Sequence, residues 1–165
     1  MTSPQALSDF EQDILDNVAN TGCHINVVID PDQQDPPFAY SVGFTETSGQ
    51  PEVIVFGLSA DMMTFMINET LDQCEAGLAL SDGVEIEGLL RGHKVVSREV
   101  ATRFIIRDYL NSAIWYEQHR TGRALDRAIQ LVWPGARDHL FPWDKGCDQQ
   151  VRDLQPALYL AGGDG

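Results

Sequence analysis

Lysine and arginine are absent from the first 90 residues, and the first cation is Arg91. That stretch carries 16 of the 25 acidic residues of a 165-residue chain whose formal net charge is -14. Sequence-independent binding to nucleic-acid phosphates needs a field of Lys and Arg. Anionic membranes likewise attract basic segments. Neither nucleic acid nor membrane is therefore an expected partner. No apolar run approaches the roughly 20 residues of a membrane span. Residues 1–5 show no basic or apolar leader, so no secretory signal is expected. Cysteine is scarce, with Cys23, Cys74 and Cys147 far apart and no C-x-x-C pair. A reduced, cytoplasmic protein follows as the expectation. Missing too are a glycine-rich phosphate loop, a G-x-S-x-G elbow and an H-E-x-x-H helix. The four histidines show no i, i+4 pair, so no metal site is expected. No cofactor is expected either.

What is present is a well-marked alternation of elements. Leu7, Phe10, Ile14 and Val18 recur at helical spacing between Pro4 and Gly22, predicting a helix over residues 4–20. Ile25, Val27 and Ile29 alternate as a strand, which stops at a proline-rich loop over residues 31–37. Phe38, Tyr40, Val42 and Phe44 share one face of the next strand, and Ala39, Ser41, Gly43 and Thr45 the other. A turn over 47–51 leads into Val53-Ile54-Val55-Phe56, apolar on both faces as in a central strand. These two strands are expected to form an antiparallel hairpin. Ser59 can cap a helix over 60–76 that buries Met63, Ile67, Leu71 and Cys74. A second hairpin turns at Arg91-Gly92, a helix covers 102–119, and a last strand covers 128–133. The expected fold is a single α+β domain over 1–160, with a mainly antiparallel sheet of five to six strands, helices packed on it, and a frayed tail at 161–165.

The small face Ala39/Ser41/Gly43/Thr45 reads as a seat for a tightly packed helix, ahead of a seat for a planar ligand. Glu46 and Glu52 flank the turn and could form an acid/base pair if they converge; two solvated carboxylates is the expectation. Cys23-His24 is weighed as a nucleophile pair, but adjacent strand residues point to opposite faces, and a thiolate needs a cation beside it. Arg91, Lys94, Arg98, Arg103 and Arg107 form the one cation cluster, with Arg103 and Arg107 a helical turn apart. Pairing with the acidic first half is preferred for them over holding a carboxylate or phosphate. Gln130, Trp133, Trp143 and Asp144 belong to a strand end and a proline-stiffened aromatic loop that could wall a pocket or hold the last strand down.

Phe38-Ala39-Tyr40-Ser41-Val42-Gly43, Gln50-Pro51-Glu52 and Phe56-Gly57-Leu58 resemble the first signature of a bacterial family designated only as domain of unknown function 4262. Gln130-Leu131-Val132-Trp133-Pro134, Phe141-Pro142-Trp143-Asp144 and Gln155-Pro156 resemble its later elements. The chain departs from that pattern at Gln50, where the family has histidine, and after Asp144, where Lys145-Gly146 follows. The resemblance implies a small stand-alone bacterial protein and brings no established activity.

The function expected is binding of a small molecule or peptide in a pocket between the 38–58 hairpin and the 141–144 loop. Tyr40, Thr45, Gln130, Trp133, Trp143, Arg103 and Arg107 are the candidate ligand-binding residues. Glu46 and Asp144 are the candidate catalytic groups if chemistry occurs there. A second copy of the chain is allowed as a partner. Two rival readings stand beside this one. A flavin-type split-barrel oxidoreductase is suggested by the Gly49-Gln50-Pro51 hairpin and opposed by the cation-free first half. The other is an acidic protein–protein interaction module.

Overall fold

A computed structural model describes residues 7–159. The expected tail at 161–165 and the expected helix start at residue 4 lie outside the described residues. The first helix, α1 (Asp9–Thr21), starts at a capping box instead. The Ser8 hydroxyl accepts from Glu11 N, and the Glu11 carboxylate accepts from Ser8 N. Gly22, at φ 94°, ends it.

The remaining elements are β1 (His24–Val28), β2 (Phe38–Val42), α2 (Phe44–Ser48), β3 (Glu52–Phe56), α3 (Ala60–Glu75), β4 (Val84–Leu90), β5 (His93–Glu99), α4 (Arg107–Thr121), β6 (Ala128–Val132) and α5 (Gln149–Leu154). All six strands form one sheet in the order β1-β2-β3-β6-β5-β4. The neighbours pair antiparallel, as expected of the two hairpins, except where β3 runs parallel to β6 at the centre. The fold is therefore α+β with a mixed sheet that has two free ends.

Strand alternation sorts the core into two layers. Ala39, Val53, Val55, Ile129 and Leu131 face α3, through Met63, Met66, Ile67 and Leu71. Phe38, Tyr40, Val42, Ile54 and Phe56 face α1 and α4, through Ile14, Val18, Leu110, Ala113 and Tyr116. Cys74 lies in the α3 layer, as its helical spacing predicted. The small-residue face also serves packing. A Cβ on Gly43 would stand 2.9 Å from the Val18 side chain, and Gly43 has φ 104°.

Three local readings are corrected. Thr45 does not continue β2: the positive φ of Gly43 ends the strand, and a short helix, α2, follows. Arg103 and Arg107 do not share one helix, because a 3-10 turn at Thr102–Phe104 precedes α4. Ile106, whose spacing with Leu110 and Ala113 predicts a core position, is consequently the N-cap of α4 and exposed. α4 is itself interrupted at Leu110 (φ -136°, ψ 33°), which sets its first turn apart from the rest.

Candidate functional site

A recess of about 650 Å3 lies between α1 and α4. Phe10 and Ile14 come from α1; Ile114 and Trp115 come from α4; together they give it apolar walls. Phe10 is 52% exposed, an unusual amount for an aromatic side chain on an otherwise amphipathic helix. Its polar groups include Glu11, Arg107, Asn111, Ser112 and Gln118. Arg107 stands at the first position of α4. No ion pair to Arg107 is found among the described residues.

The floor of this cleft is tied into the sheet by a chain of hydrogen bonds. Asn26 Nδ2 donates to Ser112 Oγ (2.6 Å) and to the Tyr40 hydroxyl (2.8 Å). Ser112 N also donates to the Tyr40 hydroxyl (2.9 Å). The chain continues outward through His24, whose Nε2 lies 2.7 Å from Asn26 Oδ1 and whose Nδ1 lies 2.9 Å from Asn17 Nδ2. Neutral imidazole with its proton on Nε2 fits these partners. β1, β2, α1 and α4 are thus locked together under the cleft, so its shape is set before a ligand arrives.

The two glutamates of the hairpin have different fates. Glu52 is 3% exposed, which overturns the expectation that it is solvated. Its carboxylate accepts from Ser41 Oγ (2.7 Å), Gly43 N (2.8 Å) and Phe44 N (3.0 Å). It thereby caps α2, whose own N-cap, Gly43, has no side chain to offer. Burial is the dominant influence on it and pushes its pKa up to about 7, against the three hydrogen bonds that favour the anion. Glu46 sits on the exposed side of α2 and accepts a hydrogen bond from the Tyr116 hydroxyl. The Tyr116 hydroxyl is raised well above its ordinary pKa, by desolvation first and by the Glu46 hydrogen bond second. No hydrogen bond joins Glu46 to Glu52 among the described residues.

The other residues named from sequence are dispersed. Gln130 is fully buried: Nε2 donates to Pro156 O (2.8 Å) and Oε1 accepts from Leu158 N (3.0 Å), clamping the chain after α5. Trp133 Nε1 donates to Phe56 O (2.8 Å). Its backbone is paired on both sides by Gln155, through Trp133 N to Oε1 (3.0 Å) and Nε2 to Trp133 O (2.9 Å). Asp144 accepts from Phe141 N (2.8 Å) and shapes its own turn. Trp143 stacks on Phe141 at 5.1 Å, and the Arg98 guanidinium rests 4.5 Å from the Trp143 ring. Arg103 lies over Phe104. Thr45 donates to Gln50 O and borders a shallow recess of about 100 Å3 with Glu117 and Arg127. Only Arg107 lines the main cleft, with Tyr40 directly behind Ser112.

Gly57, at the end of the 38–58 hairpin, is packed against α5 and Trp133: a Cβ there would meet Leu154 O at 2.7 Å and Trp133 at 3.1 Å. A recess of about 520 Å3 is bounded by the 30–37 loop, Leu58, Ser59 and α5, and is lined by none of the candidate ligand-binding or catalytic residues. Pairing of cations with the acidic first half is seen for Lys94 with Glu85 and Arg98 with Asp82, each at 2.9 Å. Sequence reasoning missed Phe10, Ile14, Asn111, Ser112, Ile114, Trp115 and Gln118. On α1 these residues belong to the same apolar stripe that seats the helix on the sheet, and that they line a cleft is legible only once α1 and α4 are known to be neighbours.

No helix among the described residues is long and apolar enough to cross a membrane. No group of three or more His, Cys, Asp or Glu side chains suited to a metal ion occurs among them. No match is found among curated proteins or among solved structures. A family model described as "Domain of unknown function (DUF4262)" matches residues 17–148.

Proposed function

The chain belongs to that DUF4262 family, and since membership carries no activity, we propose from the geometry that it binds a small organic acid in the cleft between α1 and α4. One observation carries the reading: Arg107, with no ion pair among the described residues, lines an apolar-walled cleft of about 650 Å3. Ligand sites are typically concave, mostly apolar and furnished with a few polar groups that fix orientation. Guanidinium suits a carboxylate because its fork of N–H donors matches both oxygens. Phe10, Ile114 and Trp115 supply area for a hydrocarbon or aromatic body, and Asn111 and Gln118 supply neutral hydrogen-bonding groups at its edge. The -14 charge of the chain repels anions at long range, so affinity here depends on close contact with Arg107.

The test is a thermal-shift screen of aromatic and aliphatic carboxylic acids against their matched amines and amides, followed by calorimetry. Carboxylates are expected to bind preferentially. Arg107→Gln is expected to weaken them by tenfold or more while leaving the melting temperature of the free protein unchanged. Equal binding of amides and acids, or full affinity in Arg107→Gln, overturns the reading.

A further inference from the structure

The β4–β5 hairpin tip and the loop after β6 bring together two imidazoles that are 46 residues apart in sequence. His93 Nδ1 and His139 Nδ1 face each other at 3.1 Å, with ring centroids 4.7 Å apart and planes inclined by 38°. We propose that this pair is a site for a divalent transition-metal ion, held by both Nδ1 atoms.

Two zinc–imidazole bonds of about 2.0–2.1 Å, opened to the tetrahedral angle, set their nitrogens roughly 3.3–3.4 Å apart. The observed separation is a few tenths of an ångström shorter, within reach of a small side-chain rotation. Without metal the two Nδ1 atoms share one hydrogen bond whose donor depends on the tautomers; a metal ion would take both Nδ1 lone pairs, leaving the ring protons on Nε2.

His139 has φ 58°, a left-handed backbone that non-glycine residues seldom adopt. The loop holds it there through His139 N donating to Gly135 O (3.0 Å) and Leu140 N donating to Asp138 Oδ1 (3.0 Å). Trp133, just upstream, is fixed to Phe56 and Gln155. The ring of His139 is therefore presented to His93 by a braced loop.

Imidazole nitrogen selects zinc, copper or nickel over magnesium or calcium. No third protein ligand is available among the described residues, so the remaining positions are open to water or to an exogenous anion. His93 also borders a recess of about 600 Å3 with Phe65, Leu90, Arg91 and Lys94, which leaves room for such a molecule.

The experiment titrates the full chain with Zn2+ alone by calorimetry and with Cu2+ by electron paramagnetic resonance. One ion per chain is expected, with two equatorial nitrogens in the copper spectrum. His93→Ala and His139→Asn (asparagine tolerates the left-handed backbone) are each expected to weaken binding at least tenfold, with His119→Ala unchanged. Unchanged affinity in either pair variant, or fewer than two nitrogens in the wild-type copper spectrum, overturns the proposal. The copper spectrum needs no variant and decides the matter if a substituted chain does not fold.

Discussion

The Ser41 hydroxyl donates to the Glu52 carboxylate across 2.7 Å, with both side chains almost wholly buried. Ser41 Oγ in turn accepts from Val53 N at 2.9 Å, so the pair stitches β2 to β3 at the point where their ladder ends. A carboxylate suits this place because Gly43 N and Phe44 N also point at it. Glu52→Gln must set its NH2 against one of those two N–H groups, since each carboxylate oxygen faces one of them. The expected cost is about 1–3 kcal/mol, read from urea unfolding at pH 7.

The same residue makes stability depend on pH. Its folded pKa, about 7, lies above the ordinary 4.5. The folded state therefore holds the proton more tightly than the unfolded state. The resulting stabilisation is fully present below pH 4.5 and is lost as pH rises through about 7. The difference in unfolding free energy between wild type and Glu52→Gln should accordingly vary between pH 5 and pH 8, with the wild type losing stability relative to the variant as pH rises. A pH-independent difference contradicts this assignment.

Gly43 and Gly49 border α2 and separate two kinds of glycine requirement. Both have positive φ, 104° and 74°. A Cβ at Gly43 also collides with Val18 at 2.9 Å, whereas at Gly49 nothing lies within 4 Å. Gly49→Ala should cost about 1 kcal/mol, from backbone strain alone. Gly43→Ala should cost about 2 kcal/mol or more, because α1 must also shift. Parallel thermal denaturation of the two variants checks the ordering.

Elements that announce themselves locally were legible in the sequence. The 38–42 and 53–56 strands, the helix capped by Ser59 and the 84–99 hairpin follow from alternation, capping and turn residues. The parallel pairing of β3 with β6 was not legible, since it depends on where a strand 72 residues further on inserts. α2 was hidden because its cap comes from Glu52, which follows the helix in the chain. The site suffered from the same limit. Gln130 and Trp133 were singled out as candidate ligand-binding residues, and their hydrogen-bonding groups are engaged by Pro156, Leu158, Phe56 and Gln155. Arg107 reached the cleft because it opens a helix, which its charge alone does not reveal.

Gln130 offers a direct check on that division of labour. Replacing it with leucine keeps the volume and removes both bonds to the chain after α5. Faster hydrogen exchange at Leu158 is expected, with a loss of about 1–3 kcal/mol in stability. Carboxylate binding at Arg107 should survive unchanged, because Gln130 does not line the cleft. Lost binding with intact exchange protection would place Gln130 in a ligand site after all.

The cysteines supply the last test. Thiol reactivity requires thiolate. Desolvation, reinforced by the negative charge of Glu52 and neighbouring acids, pushes the Cys23 thiol up to about 12. Burial first, then Glu75, pushes Cys74 up to about 11. Cys147 is buried and raised as well, mainly by desolvation. His24 does not offset this at Cys23, since both of its ring nitrogens are engaged with Asn17 and Asn26. At pH 8 the native protein should resist a thiol-specific disulfide reagent at all three positions, and the unfolded protein should react at all three. Rapid modification of Cys23 in the folded state would reinstate the Cys23-His24 pair as a nucleophile. Slow reaction that tracks global unfolding assigns all three thiols to packing.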